Sequence, residues 1–343
     1  MLTNRAQVIL NSIVGQYITR AIPVPSQSLC NEYGLKVSPA TIRNEMARLE
    51  DEGYITRPHP SAGSIPLDKG YRHYVESLGS PELPSNEQLM IDHLFHQVEG
   101  ELDKWVRLAA TLIAQLVRNM ALVTTPKPAH CEFRHLELVA LQDSMALVVA
   151  IFHGARVRQQ LIVFDRSVSQ ATLTVAANRF NAVYANLPRP QISARNIELS
   201  AVEKQINECL LKIMQEEDEQ EYEEPYLEGF HFILNQPEFA HSQQMLSLVE
   251  LVEQRRLLST ILSTVTPSPG IQVVIGRENK AEAIQNCSVV ISRYGPPQEA
   301  MGAIGVIGPT RMSYARVIST VGYISSVLNE LVAELYSKDN SAN

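Results

Sequence analysis

The sequence contains no uninterrupted apolar run near the roughly 20 residues that a bilayer-crossing helix needs, so no membrane span is expected. Its start, Met1-Leu-Thr-Asn-Arg5, lacks the basic-then-apolar pattern of an export signal, and a cytoplasmic protein is expected. Cysteine is sparse: Cys30, Cys131, Cys209 and Cys287 stand far apart, which argues against a disulfide framework and a zinc ribbon alike. They read as reduced, structural thiols. The nine histidines are scattered, and no His/Cys/carboxylate set has metal-ligand spacing. No nucleophile-base-orienter set is visible either, so neither metal nor cofactor is expected. Gly302-Ala-Ile-Gly-Val-Ile-Gly308 superficially looks like a phosphate loop, but it lacks both the Gly-x-Gly opening and the Gly-Lys-Ser/Thr ending. A strand running into a turn at Gly305 and Gly308 is the expected reading, with Arg311 beyond it in a structural salt bridge. The chain is not expected to be an enzyme.

A strong positive charge is also missing. The net charge is −8, but it is unevenly placed: residues 1–78 hold eight Lys/Arg against seven Asp/Glu, and the remainder holds 21 against 30. Repulsion from a polyanion is therefore concentrated away from the amino-terminal region, and local distribution decides nucleic-acid binding more than total charge does. With 343 residues, 45% of them apolar, the chain is long enough for two or three packed domains.

The most informative segment that is present is Ser38-Pro-Ala-Thr-Ile-Arg-Asn-Glu-Met-Ala-Arg-Leu-Glu50. Ser38 supplies an N-cap oxygen, and Pro39 sits where a missing N–H costs nothing. At about 100° per residue, Ile42, Met46 and Leu49 form a buried stripe while Ala40, Asn44 and Ala47 point the other way. That outward face is small enough to enter a major groove, where Asn44 can pair with an adenine edge and Ala40 or Thr41 can meet a thymine methyl. Arg43 and Arg48 flank it, within reach of phosphate or guanine. Before it lies a short helix at 27–33, capped by Ser26 and stopped at Gly34; a first helix at 5–19 carries Val8, Ile9, Ile13, Val14 and Ile18 at helical spacing. After it, strands at 54–57 and 65–66 flank a Pro/Ser/Gly loop, the pattern of a wing. A helix-turn-helix with a wing is the expected arrangement. In it His59, Ser61, Lys69 and Arg72 are weaker candidates for backbone phosphate.

Residues 79–86 read as a linker, and helical spacing resumes from 89 to 117. Strands are expected at 136–141, 146–152 and 157–164, and helices at 171–186 and 200–217. The seven acids among Glu216–Glu224 read as a solvated loop that keeps its surroundings off a duplex. A strand at 226–234, a helix at 245–262, strands at 271–275, 288–291 and 302–307 and a last helix from 313 to 335 complete the chain.

Several blocks resemble a known family. They are Ser38–Met46, Pro58-His-Pro-Ser-Ala-Gly63, Asp68-Lys-Gly-Tyr-Arg-His-Tyr-Val75, Asn286-Cys-Ser-Val-Val290 and Ile304-Gly-Val-Ile-Gly-Pro-Thr-Arg-Met-Ser-Tyr-Ala-Arg-Val317. Nearly end to end the chain resembles the HrcA heat-inducible transcription repressors of bacteria. The resemblance implies an α+β multidomain chain: a winged helix-turn-helix at 1–78, a linker and connecting helix at 79–104, and a GAF-like α+β domain at 105–164 and 241–338, interrupted by an inserted dimerisation domain at 165–240. It further implies a homodimeric repressor of chaperone genes that binds double-stranded DNA at an inverted-repeat operator, CIRCE, and is kept active by the GroE chaperonin. Two departures stand out: the family's wing usually carries Arg where this chain has Ser64, and Gly where it has Pro25. Loss of that positive charge implies weaker operator binding with a shallower salt dependence. A ligand-responsive repressor, with the GAF-like domain as a small-molecule sensor, stays open as the alternative.

Overall fold

The computed structural model describes residues 2–341 apart from 33–37, 60–61, 99–100, 128–130, 154–155, 220–223, 240–242, 266–269 and 297–299. Two compact units divide the chain, the first made of Met1–Pro126, Glu224–Pro296 and Met301–Asn343 and the second essentially of Lys127–Glu223.

The first unit opens with a helical head. Thr3 starts α1 (Asn4–Arg20) by accepting the Ala6 N–H at 3.2 Å, and the helix stops at Ala21 in the left-handed region. Ile9, Leu10, Ile13 and Val14 are buried on its inner side, the three-and-four spacing of a core-facing stripe. α2 (Ser26–Glu32) starts at the serine expected to cap it; Tyr33 and Gly34, expected at its end, lie outside the described residues. α3 (Pro39–Asp51) leads through Gly53 to β1 (Ile55–Thr56), which pairs antiparallel with β2 (Ile65–Pro66). α4 (Asp68–Ser77) closes the head.

The helical stretch expected at 89–117 forms two helices, α5 (Ser85–Gln97) and α6 (Leu102–Val117), followed by β3 (Met120–Val123). β3 belongs to a five-stranded antiparallel sheet whose other strands come much later in the sequence.

The second unit comprises β4 (Glu132–Gln142), β5 (Met145–Phe152), β6 (Arg156–Val163), α7 (Gln170–Tyr184), β7 (Leu187–Pro188), α8 (Arg189–Ala194) and α9 (Ala201–Glu219). Its sheet runs β6-β5-β4-β7, all antiparallel. Phe133, Leu136, Leu138, Val148 and Phe152 share one core with Phe180 of α7 and Leu210 of α9. This corrects the expected domain border. Strands expected to belong to the interrupted domain, up to residue 164, lie in the second unit, because their inner side chains pack on α7 and α9 and β4 pairs with β7. The interruption thus starts near Lys127 rather than Asp165 and ends near Glu223 rather than Ala240.

The first unit resumes with β8 (Tyr226–Glu228) and α10 (Phe230–Leu234), where one strand was expected, and with α11 (Gln243–Glu253) and α12 (Leu257–Leu262), where one helix was expected. Gly229 and Arg255, both at positive φ, make these breaks. β9 (Gln272–Ile275), β10 (Cys287–Tyr294), β11 (Gly302–Pro309) and α13 (Tyr314–Ser341) complete it. The sheet order is β8-β3-β11-β10-β9, and α6 and α13 pack against it. Every residue of β3 and β11 is buried, as both faces of these central strands are covered. Gly305 and Gly308 sit inside β11 rather than in a turn. A Cβ on Gly305 would lie 2.9 Å from the Val290 carbonyl oxygen, so the glycines serve close packing. Among the described residues no helix is long and apolar enough to cross a membrane.

Candidate nucleic-acid interface

α3 is built as its sequence predicts. Ser38, extended at φ −69° and ψ 151°, accepts the Thr41 N–H at 3.2 Å, and Pro39 occupies the first turn. Ile42, Met46 and Leu49 are buried; Ala40, Arg43, Asn44, Ala47 and Arg48 are exposed. The helix is stopped by Gly53 at φ +76°, with the Tyr54 N–H returning to the Leu49 carbonyl at 2.9 Å, a C-terminal cap that only glycine adopts without strain. Thr41 is half-buried, and its hydroxyl lies 2.9 Å from that of Ser38, so it serves the cap as well as the outward face.

The cations around this face differ in their surroundings. No carboxylate among the described residues pairs with Arg43. Arg48 donates through Nε to Glu52 Oε1 at 3.1 Å in a pair exposed at both ends, which is worth little and is easily exchanged, and it lies 4.0 Å from the more buried Glu45. Arg57, at the start of the wing, pairs with Glu50 at 2.5 Å. It was not anticipated from the sequence, because nothing local marks it: only the return of β1 past α3 brings it beside Arg43.

The wing is fixed at its base. Val24 and Ser64 exchange both backbone hydrogen bonds at 2.9 Å, so β2 is continued by the segment ahead of α2. Gly63 permits this approach: a Cβ there would stand 2.5 Å from the Val24 carbonyl carbon and 2.6 Å from that of Pro23. Ser64 is fully buried, and its hydroxyl finds no hydrogen-bond partner among the described residues. It faces a recess of about 390 Å³ lined by Arg43, Met46, Arg57, Ala62 and Gly63, open between α3 and the wing. His59 is exposed on the wing; Ser61 lies outside the described residues.

Lys69 and Arg72, on α4, have other neighbours. Lys69 Nζ donates to the Glu52 carbonyl at 2.8 Å and sits 4.1 Å above the Tyr54 ring, tying α4 to the end of α3. Arg72 donates through Nε to Glu278 Oε1 at 2.8 Å and through Nη2 to the Val273 carbonyl at 2.7 Å. The hydrogen bond with Glu278 raises its pKa further above the usual range. The structure therefore brings Ala40, Arg43, Asn44 and Arg48 onto one open face, leaves His59 exposed, and turns Arg72 towards the sheet. Arg311 pairs with Glu238 and donates to Gln236 at 2.5 Å, the structural salt bridge expected for it.

Comparison with known proteins places this geometry. The model of the HrcA protein C-terminal domain matches residues 103–318, more than half of the chain. The heat-inducible transcription repressor HrcA of Dehalococcoides mccartyi is 51% identical over 341 residues, covering 98% of both chains. That of Roseiflexus castenholzii is 40% identical over 344 residues, covering 98% of this chain and 96% of its own. A crystal structure of a hypothetical protein at 2.2 Å resolution superposes with a TM-score of 0.59 at 22% identity, covering 97% of this chain and 98% of that one, a likeness of fold alone. An amino-terminal helical region followed by several antiparallel sheets, together with sequence identity along nearly the whole length, leads to one conclusion: this chain belongs to the HrcA family of heat-inducible transcription repressors.

Proposed function

We propose that this chain represses chaperone operons by binding as a homodimer to an inverted-repeat operator of the CIRCE type, with the head acting as a winged helix-turn-helix. The observation that carries the reading is the outer face of α3: small, exposed, capped at its start, and bearing Asn44 between two arginines. Ala40, Thr41 and Asn44 read base edges. Arg43 and Arg48 hold phosphate or guanine, and Arg57 joins them across the recess; His59 and Ser61 extend the contact along the wing. Lys69 and Arg72 support the head rather than the duplex, given their partners.

An inverted repeat requires two heads related by a twofold axis. The second unit supplies a surface suited to joining two copies. On the side of its sheet away from α7 and α9, Val139, Leu141, Val157, Leu161 and Val163 are exposed, with Leu147 half-buried between Val139 and Leu161 in register. Contiguous apolar surface of this kind marks an interaction site. The inserted unit accordingly dimerises, and the GAF-like five-stranded sheet carries the head. On heating, the dimer loses its operator; free GroE chaperonin returns it to the binding form until unfolded clients draw the chaperonin away.

A second reading, a small effector held beside the GAF-like sheet, rests on a recess of about 670 Å³ lined by Val75, Leu83, Ile271, Val273, Ile318 and Tyr323, within the size range of ligand pockets. A stoichiometric metabolite in native mass spectra of protein from its host, one that shifts operator affinity, would favour it. The test of the primary reading is a footprint of the purified protein over promoters of chaperone operons. Protection of an inverted repeat, lost for a scrambled duplex, is expected; equal affinity for both sequences overturns it.

A further inference from the structure

α4 is held from two sides. Within the head, Gly70 lies so close to Tyr54 that a Cβ would strike its carbonyl oxygen, and Asn11 of α1 donates to Ser77 at 3.0 Å. On the other side, α4 meets the end of β9 and the 3-10 turn Gly276–Glu278. Asp68 opens α4, and its carboxylate accepts the Arg277 N–H at 2.9 Å. Gly276 stands at φ +53°, where a side chain is strained and a Cβ would run into the Asp68 carboxylate. One helical turn later on the same face, Arg72 grips Glu278 with Nε and Nη2 and the Val273 carbonyl with Nη2. Glu278 also accepts the Ile275 N–H at 2.8 Å, so the carboxylate is fixed by its own backbone before the arginine reaches it. Between these polar contacts, the buried rings of Tyr71 and Tyr314 pack with centroids 6.0 Å apart, and Tyr314 hydrogen-bonds Ser288 of β10 at 2.7 Å. Docked in this way, the head leaves the outer face of α3 uncovered.

We propose that Asp68, Arg72 and Glu278 are positioning residues for operator recognition: they fix the angle at which the head leaves the five-stranded sheet, and hence the separation of two recognition helices, without touching DNA. A preset separation lets the second head bind without a further ordering cost, which is the gain expected of a rigid bivalent binder. The proposal rests on the reading that a dimer binds an inverted repeat.

The test uses the full chain and fluorescence anisotropy on three duplexes: the complete repeat, one half-site with scrambled flank, and a fully scrambled control, each over a salt series. Arg72→Ala and Glu278→Gln are each expected to weaken binding to the complete repeat at least tenfold, to change half-site affinity less than twofold, and to leave the salt slope as it was. The double variant R72E/E278R is expected to recover part of the loss. Hydrogen exchange supplies a readout without DNA: the Arg277 amide should lose protection in Asp68→Asn while amides of α1 and α3 keep theirs, which shows a head undocked but folded. Two results overturn the proposal. One is a shallower salt slope and equal losses on repeat and half-site for Arg72→Ala with no effect of Glu278→Gln, which would make Arg72 a phosphate contact. The other is an unchanged repeat-to-half-site ratio in both variants. Wild-type protein that binds the repeat no better than the scrambled control overturns the operator reading itself, and the positioning role with it.

Discussion

Helices α3 and α4 flank the same two-stranded sheet, and each carries two basic residues on an amphipathic frame, yet they face different partners. The arginines of α3 look outward, Arg43 with no carboxylate paired to it among the described residues and Arg48 paired with Glu52 in an exposed pair that releases it readily. The cations of α4 are held by fixed acceptors, Lys69 by the Glu52 carbonyl and Arg72 by Glu278 and Val273. A basic residue on a helix becomes a nucleic-acid contact only where the fold leaves it without a better anion. Composition cannot distinguish the two cases, because the acceptor of Arg72 lies 206 positions away in the sequence.

Substitutions on the two helices separate their roles. The largest effect is expected on the inner side of α3, where Ile42 is fully buried: Ile42→Ala should lower unfolding stability by about 2–5 kcal/mol in urea titration, through lost transfer energy and the cavity left behind. A loss under about 1 kcal/mol would show that α3 is not anchored by this stripe. On the outer side, Asn44→Ala should leave the unfolding midpoint in place while weakening operator binding by about 1–3 kcal/mol and relaxing specificity at the contacted pair. Normal repression by this variant would mean that the reading face is phased wrongly.

Salt dependence separates the two helices most directly. Arg43→Ala should reduce the slope of log affinity against log salt by about 0.9, one phosphate's share, whereas Lys69→Ala should leave it unchanged and lower stability by about 0.5–1 kcal/mol. Equal slope changes for both would erase the distinction drawn between α3 and α4. Ser64→Arg should steepen the slope by about 0.9, since the recess of about 390 Å³ beside Arg43 and Arg57 gives a longer side chain a way out to solvent. A destabilised head with an unaltered slope would instead show that position 64 can only be an interior one. The smallest effect is expected for Arg48→Ala on stability, about 0.3–0.5 kcal/mol, the value of an exposed pair one turn apart with Glu52.

Much of the candidate interface was legible in the sequence because it is local. The start of α3 follows from a serine and a proline in succession, and its two faces follow from the helical repeat, so Ile42, Met46 and Leu49 could be assigned inward and Asn44 outward without a fold. Most strand segments of the two sheets were legible for a similar reason, from apolar and β-branched runs between turns, but β3 and β7 were missed, being only four and two residues long. Which sheet each strand joins was not: β4, β5 and β6 look like candidates for either, and only the packing of Phe133 and Phe152 with Phe180 assigns them to the second unit. The strand-to-helix change at Gly229 and the helix break at Arg255 were missed because apolar residues run on through both sites.

The sequence alone determined α3, its cap, its phase and the family resemblance, since each rests on residues within a few positions of one another. Tertiary structure alone decided which cations remain available, that Ser64 is interior, and where the interruption begins. Each of those depends on which distant acceptor, strand or backbone segment comes to lie alongside: Glu278 against Arg72, Val24 against Ser64, β7 against β4. Short-range periodicity and capping carry no information about such long-range partners.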